Sequence, residues 1–506
     1  MRAMQFPIHP ANFAGFVHRS GANIVDGSGR ALLLRGVGIG NWMLPEGYMW
    51  GFGPGAESPR EIEALTERLL GPEGARPFWQ AFRENFFCEA DVRRIAESGF
   101  DHIRLPINSR LLIDDDGVLL EQGFTMIDDV IRWCRAHRLW VLLDLHGAPG
   151  GQTGTNIDDS PNNLPELFMQ PRFRAMTIDL WREIARRYAT ETVVLGYDLL
   201  NEPIPNEWTE LYNADLARLY RDVTRVIREV DPDHLIMYEG SHWATNWQIF
   251  DSIWDENSCL QFHKYWSPPD TSSIQSFLDA RESLGLPIYM GEGGENNLEW
   301  LYTAWRLYES HGIGWNFWPW KKIATRTSPV SIIPPSRWNE VVAHVAGAPA
   351  PRDPDEIFDE LLDNMRIENC LWLPEVVQAI MAVDPREIPA WGFGFRGRGE
   401  SSSVAAATTL AGMRESDGVT IRYAVERSPS EHFFSHTDGR DYADDERITV
   451  VLSAGDWLEY ELNRPVAIDR ISVDGGSSGV LVEPSVRGFR VIAVADTTIG
   501  RIRIAS

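Results

Sequence analysis

The chain has 506 residues, with 47 basic and 73 acidic side chains and a formal net charge of −26. Such a field repels polyanions, which excludes a nucleic-acid binder working through phosphate neutralisation and disfavours anionic membrane surfaces. Hydrophobic residues at 43% and charged residues at 24% are those of a folded protein, and 20 tryptophans hint at stacking surfaces as well as core. Cys88, Cys134, Cys259 and Cys370 form no C-x-x-C pair and are read as buried free thiols, so no cysteine-held metal is expected. Residues 1–20 are broken by Pro7, Pro10 and Asn12 and contain no signal-peptide core, and no apolar run reaches the roughly 18 residues of a membrane span. The expectation is a soluble chain, cytoplasmic or secreted with its leader removed, whose oligomeric state the sequence does not assign.

In chain order, the segment NIVDGSGRALLLRG has Asp26-Gly27 and Ser28-Gly29 as turn residues and predicts a hairpin plugging the bottom of a barrel. Eight strand-like runs follow, at 33–40, 102–107, 140–146, 193–203, 235–240, 259–265, 287–294 and 312–320. Amphipathic helical patterns separate them, over 78–99, 124–137, 176–189 and 211–230, and further helices are expected at 336–346 and 355–382. Strands alternating with helices demand a parallel sheet covered by helices, and eight repeats fit a closed (β/α)8 barrel. No strand is followed by G-x-G-x-x-G, and no nucleotide or other cofactor is expected. After about residue 387 the chain becomes rich in Ser, Gly, Thr and Val. Strand-length runs at 420–425, 447–453, 456–463, 470–475, 489–495 and 501–506 predict an antiparallel sandwich. The division expected is therefore a barrel with its hairpin over 1–386 and an all-β sandwich over 387–506.

Active sites of such barrels sit at the carboxyl ends of the strands. Nearly every predicted strand ends in a polar residue: Arg104 and Asn108, Asp144 and His146, Asn201-Glu202-Pro203, His263 and Tyr265, Glu292, and a tryptophan cluster at 315, 318 and 320. Glu202 and Glu292 end strands four and seven, 90 residues apart. Facing each other across one mouth, they would form the carboxylate pair that glycoside hydrolysis requires. Taken singly, Glu202 could be no more than a helix start between Asn201 and Pro203, and Glu292 a solvated acid in a glycine-rich turn. No H-E-x-x-H motif or histidine-rich cluster points to a catalytic metal. The acidic runs Asp114-Asp115-Asp116 and Asp158-Asp159 do not have calcium-loop spacing and are read as a hairpin turn or solvated loop.

Over roughly residues 20–385 the sequence resembles glycoside hydrolase family 5, of the clan A retaining β-glycosidases. The resemblance implies a retaining β-glycosidase acting by double displacement on a β-linked glucan, oligosaccharide or glycoside, with mannosidase or galactosidase specificity as an alternative. By the same resemblance Glu202 is the acid/base, Asn201 binds the sugar 2-hydroxyl, and Glu292 in IYMGEGG is the nucleophile. Arg104 holds that nucleophile, while His146, His263 and Tyr265 line the same subsite and Trp318 forms its floor. Gly293 departs from members that carry a bulky residue there. The stretch LHGAPGGQTG resembles a loop of exo-β-1,3-glucanase-like and β-glucosidase-like members. Trp42, Trp243, Trp247 and Trp266 fall in loops after strands; one or two of them, with Trp243 and Trp266 preferred, are expected to stack on sugar.

In the C-terminal part, SAGDWLEYELN resembles a strand motif of family 6 and family 35 carbohydrate-binding modules, and Trp457 and Tyr460 could be sugar contacts or core. A sandwich that only braces the barrel is slightly preferred, since Phe433, Phe434 and Tyr442 are the one group of loop aromatics there. A non-catalytic carbohydrate-binding barrel remains as an alternative. A lysine-dependent barrel enzyme is discounted, with Lys264 read as pointing away and Lys321-Lys322 as lying beyond strand eight.

Overall fold

The computed structural model describes residues 10–505 apart from 406–409, 411–412, 426–433 and 476–478, so Phe433 lies outside the described residues. Eight parallel strands close into a barrel: β1 (Arg35–Gly38), β2 (His102–Asn108), β3 (Trp140–Gly147), β4 (Val194–Asp198), β5 (Leu235–Glu239), β6 (Ser258–His263), β7 (Ile288–Gly294) and β8 (Gly314–Trp318). Each pairs with its successor, and β8 returns to β1 through Trp315↔Arg35 and Phe317↔Val37. Every strand predicted from the sequence is present.

Alternation along the strands divides the residues between two surfaces. Ile103, Leu105 and Ile107 of β2 and Val141, Leu143 and Leu145 of β3 face the helices and join the large outer core. Toward the bottom of the barrel Trp140, Leu142, Leu195, Leu235, Met237 and Tyr289 form a separate apolar cluster. The hairpin lies one strand earlier than predicted, at His18–Ser20/Asn23–Val25, while the expected turn at Asp26–Gly29 closes only a single Val25↔Ala31 bridge; Val17 and Ile24 pack into that cluster and close the bottom. Asp26 fixes the hairpin's outgoing turn by accepting from the Ser28 and Arg30 amides. The upper interior is polar, because the inward positions there are Arg104, Asp144, Asp198, Glu239 and Gln261, all with essentially no exposed surface.

Two helical predictions need correction. The pattern over 78–99 is broken between helices Pro59–Phe86 and Glu89–Glu97, where Cys88 is extended and its amide donates to Asp91, capping the second helix. The span 355–382 is two helices, Pro354–Asn364 and Pro374–Met381. Pro374 can only begin a helix, since its ring removes the donor that a continuous one would need, and Leu371–Trp372 pairs instead with Val330–Ile332. Of the free thiols, Cys134 and Cys259 are buried while Cys88 and Cys370 are only partly so.

The C-terminal strands form three small antiparallel sheets. Arg501–Ile504 lies between Glu387–Pro389 and Ile471–Val473; Trp457–Glu461 lies between Ser402–Ser403 and Gly488–Ala493, with Val480–Pro484 at the edge; Ile448–Leu452 lies between Thr420–Tyr423 and Thr497–Ile499. These sheets share one continuous apolar cluster with the barrel helices, from Tyr302 and Trp305 through Trp391 to Tyr460. Polar contacts reinforce the junction: Tyr302 donates to the Glu461 carbonyl at 2.9 Å, Asn463 to the Met381 carbonyl at 2.8 Å, and Arg501 pairs with Glu299 and Glu387 at 2.5 and 2.9 Å. Arg414, fully buried, donates to the carbonyls of Trp391, Phe393 and Gly394 and so fixes the chain where it leaves the barrel. No helix among the described residues is long and apolar enough to cross a membrane.

Glu309, on helix Leu298–Ser310, ties strand, helix and C-terminal region together. It accepts from Arg35 at 2.8 Å, Arg306 at 2.8 Å, the Trp315 indole at 3.1 Å and Asn463 at 3.2 Å. Burial opposes its charge, but Arg306 and Arg35 overcome this and hold its carboxyl well below the ordinary range. Its contribution to stability is therefore present above the unfolded carboxylate value and lost as pH falls toward the depressed folded value. Replacing Glu309 with Ala strands two buried guanidinium groups and should cost about 3–5 kcal/mol, read as a lowered denaturant midpoint at neutral pH.

Candidate active site

The site is organised around Arg104, which projects from β2 into the barrel with none of its surface exposed. Its Nε donates to Asp198 at 2.9 Å, its Nη1 to Glu292 at 2.7 Å, and its Nη2 to Asn201 at 2.8 Å and Glu239 at 3.2 Å; Asp144 lies 3.2 Å from Nη2. One guanidinium thus orients carboxylates from β3, β4, β5 and β7. Gln261, on β6, donates to Asp198 at 2.8 Å and to Glu239 at 2.5 Å.

Above this layer stand Glu202 and Glu292. Glu292 is held on both oxygens, by Arg104 on Oε2 and by the Tyr265 hydroxyl on Oε1 at 2.8 Å. Glu202 lies beyond the end of β4, at φ +42°, in the left-handed region where a side-chain-bearing residue costs about 1–3 kcal/mol. Its amide donates to Glu239 Oε2 at 2.7 Å, which holds that conformation, and its Oε1 meets His263 Nδ1 at 2.8 Å. A carboxylate oxygen of each glutamate and a ring nitrogen of His263 all lie within 4.8 Å of one another. These three could be counted as metal ligands. His263 nevertheless has both nitrogens against carboxylates, Nδ1 on Glu202 and Nε2 on Glu239 at 3.2 Å. Burial disfavours its charge, yet Glu239 and Glu292 outweigh that and raise its pKa well above the usual histidine value. A metal ion would have to displace a proton held by three carboxylates.

The remaining titrations follow from the same crowding. Burial pushes Asp144 up to about 7 despite Arg104, and burial together with Glu239 pushes Asp198 up to about 8. Burial and Arg104 drive His146 down to about 4, so it is neutral. Its ring bonds Asp144 at 2.7 Å, stands 3.3 Å from Asn201 Nδ2, and stacks on Trp318 with centroids 5.5 Å apart. Burial raises Glu292 above the ordinary glutamate value, with His263 and Arg104 pulling the other way.

Arg104, His146, Asn201, Glu202, Trp243, His263, Tyr265, Trp266, Glu292 and Trp318 come together at this mouth, whereas Trp315 and Trp320 of the same strand-end cluster pack in the outer core. Glu202, Trp243, His263, Tyr265, Trp266, Glu292 and Trp318 line one cavity of about 770 Å³, a small-ligand volume. Arg104, Asn201 and His146 support it from below. Trp266 is 44% exposed and Trp243 partly so, whereas Trp42 is buried in the core and Trp247, itself partly exposed, packs against that core.

The sequence from 74 to 323 matches the model of the cellulase family (glycosyl hydrolase family 5). Over 346 residues the chain is 31% identical to a β-xylosidase of Phanerodontia chrysosporium, covering 60% of this chain and 70% of that protein. It is 26% identical over 323 residues to cellodextrinase A of Ruminococcus flavefaciens, covering 56% and 83%. Among solved structures an endogalactoceramidase superposes with a TM-score of 0.49 at 15% identity, over 97% of this chain and 100% of that one. The chain belongs to glycosyl hydrolase family 5. It is a glycoside hydrolase of the β-glycosidase kind.

The departures of this family member have physical causes. Any side chain at Gly293 would bring a Cβ to 2.8 Å from the Lys264 carbonyl, so the backbone path after β6 leaves no room for one. Asp158 and Asp159 are buried rather than solvated, a correction. Asp158 accepts from the amides of Gly154 and Ser160 and from Thr153, and Asp159 binds Asn108 at 3.0 Å and Arg110 at 2.5 Å, fixing the loop after β3. Lys322 also lies in the cavity wall and not outside the mouth. Its Nζ is 2.5 Å from Glu295, so an acid already occupies it. Sequence reading missed Glu46, Tyr48, Glu295, Thr437 and Asp438 in the wall and Asp198, Glu239 and Gln261 beneath it. Glu46 is 3% exposed, burial and the neighbouring glutamates raise its carboxyl well above the usual range, and its Oε1 has no hydrogen-bond partner among the described residues.

Tyr265 gives a direct test of this electrostatic balance. Tyr265→Phe removes one of two donors to Glu292, a hydrogen bond to a charged group worth about 1.5–3 kcal/mol. The acidic limb of the pH–rate profile should move to higher pH, and kcat/KM should fall roughly ten- to hundredfold.

Proposed function

We propose that this glycoside hydrolase is a retaining enzyme acting on neutral β-linked glucans, oligosaccharides or glycosides by double displacement, with Glu292 as nucleophile and Glu202 as acid/base. The observation that carries the reading is the approach of the two carboxylates to within 4.8 Å. Retaining glycosidases hold theirs about 5–5.5 Å apart, whereas inverting ones leave about 6.5–9.5 Å for a water molecule.

The two environments support the division of roles. Glu292, gripped by Arg104 and Tyr265, is fixed in position to attack the anomeric carbon, and the adjacent guanidinium stabilises the ionised form that attack needs. Glu202 donates its proton to the departing glycosidic oxygen as that bond breaks. It then takes a proton from the water that attacks the glycosyl–Glu292 ester, releasing the sugar with its configuration retained. His263 bonds Glu202 and, carrying its own charge, turns that carboxyl toward the leaving group. Asn201, fixed by Arg104, is placed for the sugar 2-hydroxyl. The unpartnered Glu46 oxygen offers an acceptor to another hydroxyl, with Trp318 as a flat apolar floor.

Glu292→Ala should abolish turnover of every glycoside. Glu202→Ala should keep part of its rate on aryl glycosides with good leaving groups and give a β-glycosyl azide when azide is added. An α-azide from that variant, or rescue of Glu292→Ala to a retained product, reverses the assignment. The wild-type profile should be bell-shaped, since one group must be ionised and the other protonated, with an acidic limb lying above the ordinary carboxylate range because burial raises Glu292. A flat rate between pH 4 and 9 argues against the mechanism.

A further inference from the structure

The cavity that holds Glu202 and Glu292 has a wall from outside the barrel: Thr437 and Asp438, 145 and 146 residues beyond Glu292, line it together with the strand-end residues. They form the turn His436–Gly439, closed by the Gly439 amide donating to the His436 carbonyl at 2.8 Å. Two contacts seat this turn on the barrel mouth, and a third anchors it beside the chain that leaves the barrel. Asn296, two residues past β7, donates to the Phe434 carbonyl. Gly439 comes so near the segment after β8 that an added Cβ would lie 2.9 Å from the Thr327 methyl and 3.1 Å from Arg326 Cβ. Phe434 and Tyr442, at 3% and 2% exposure, pack against Trp391 from either side of the turn. Arg440, bonded to Glu446 at 2.8 Å, holds the outgoing chain. The phenylalanine and tyrosine that sequence reading took as loop aromatics are therefore anchors, and what they present to the cavity is a hydroxyl and a carboxylate.

Thr437 and Asp438 are exposed, while Glu292 and His263 are deeply buried. The turn is consequently rim, and it faces whatever part of a substrate projects outward once the cleaved bond lies between the two glutamates. Asp438 joins Glu46, Glu202, Glu292 and Glu295 in the lining, against Lys322, which Glu295 already neutralises, and the buried charged His263, which Glu202 and Glu239 already hold.

We propose that the turn His436–Gly439 of the C-terminal sandwich is part of the substrate-binding site, where Thr437 and Asp438 hydrogen-bond an uncharged, hydroxyl-bearing aglycone and Asp438 repels an anionic one. This rests on the glycosidase reading above and adds the C-terminal sheets to the specificity machinery. At the separations of a pocket rim, a unit charge in a partly aqueous setting is sufficient for discrimination of several-fold, and added salt reduces it.

The test uses the full chain and a pair of aryl β-glycosides of whichever sugar it hydrolyses fastest, one with a 4-carboxyphenyl and one with a 4-carbamoylphenyl aglycone. Comparing the ratio of their kcat/KM values between variants cancels their intrinsic difference in reactivity. Asp438→Asn keeps an acceptor for the Arg440 amide, which Asp438 Oδ1 now receives at 3.1 Å, and removes only the charge. It should shift the ratio about three- to tenfold toward the carboxylate substrate. Thr437→Lys, which leaves that bond alone, should shift it in the same direction, and 0.5 M salt should shrink both shifts. A turn with only a structural role would lower both substrates together and leave the ratio unchanged. An unmoved ratio in both variants, with hydrolysis intact, overturns this inference alone. Failure of the unaltered chain to hydrolyse any aryl β-glycoside overturns the glycosidase reading, and this inference with it.

Discussion

A single positive charge buried in the barrel decides how the upper half of this molecule is built. Arg104 reaches Asp144, Asp198, Glu239, Glu292 and Asn201, which arrive from β3, β4, β5, β7 and the segment after β4. A guanidinium suits this place because its five donors lie in a rigid plane and it stays charged when buried. A lysine could neutralise one acid but could not orient several at fixed angles. Removing the charge would leave a dry cluster of acids that no rearrangement of the strands could resolve.

The same cluster explains why the site contains groups that titrate so differently. Arg104 and a protonated His263 supply two positive charges, while five carboxyl groups surround them, those of Asp144, Asp198 and Glu239 in the layer and those of Glu202 and Glu292 above it. Asp144 and Asp198, pushed to about 7 and 8, relieve the excess by holding protons near neutrality. Glu239, between Arg104 and His263, is held below the ordinary range despite its burial. It therefore remains the fixed anion that keeps His263 charged and receives the Glu202 amide. The left-handed backbone at Glu202 belongs to this arrangement, since the bond to Glu239 is what sets the direction of its side chain.

Much of this was legible in the sequence. Eight strand-length runs alternating with helical patterns gave the barrel, and the residues at their carboxyl ends gave Arg104, His146, Asn201, Glu202, His263, Tyr265, Glu292 and Trp318, because a polar side chain on a buried strand needs a partner. Asp198, Glu239 and Gln261 carry the same signal, ending β4 and β5 or lying within β6, but Asp198 and Gln261 stand just before Asn201 and His263, which drew the reading, and Glu239 has no motif around it. Glu46 and Tyr48 lie in an irregular segment after β1 with no periodicity to place them. Asp158 and Asp159 read as solvated because adjacent acids usually are; nothing local announces that Asn108 and Arg110, some 50 residues earlier, would bury one of them. Thr437 and Asp438 were the least accessible of all, since their position depends on how a distant set of sheets docks on the barrel.

That docking gives the C-terminal part a place in the cavity wall that a tethered module would not have. The motif SAGDWLEYELN, which resembles a carbohydrate-binding module, spends its central residues on the junction: Tyr460 is fully buried and donates to the Ala390 carbonyl at 2.7 Å, and the Glu461 carbonyl receives Tyr302. Trp457 lies beneath Arg490, 4.1 Å from its ring centre, instead of presenting an open face. One apolar cluster runs through both parts and includes Phe434 and Tyr442, the anchors on either side of the turn at 436–439. A barrel alone offers only its eight loops to shape a substrate pocket. Here a ninth wall comes from the turn at 436–439, seated by Asn296 on the Phe434 carbonyl and by Gly439 against Thr327.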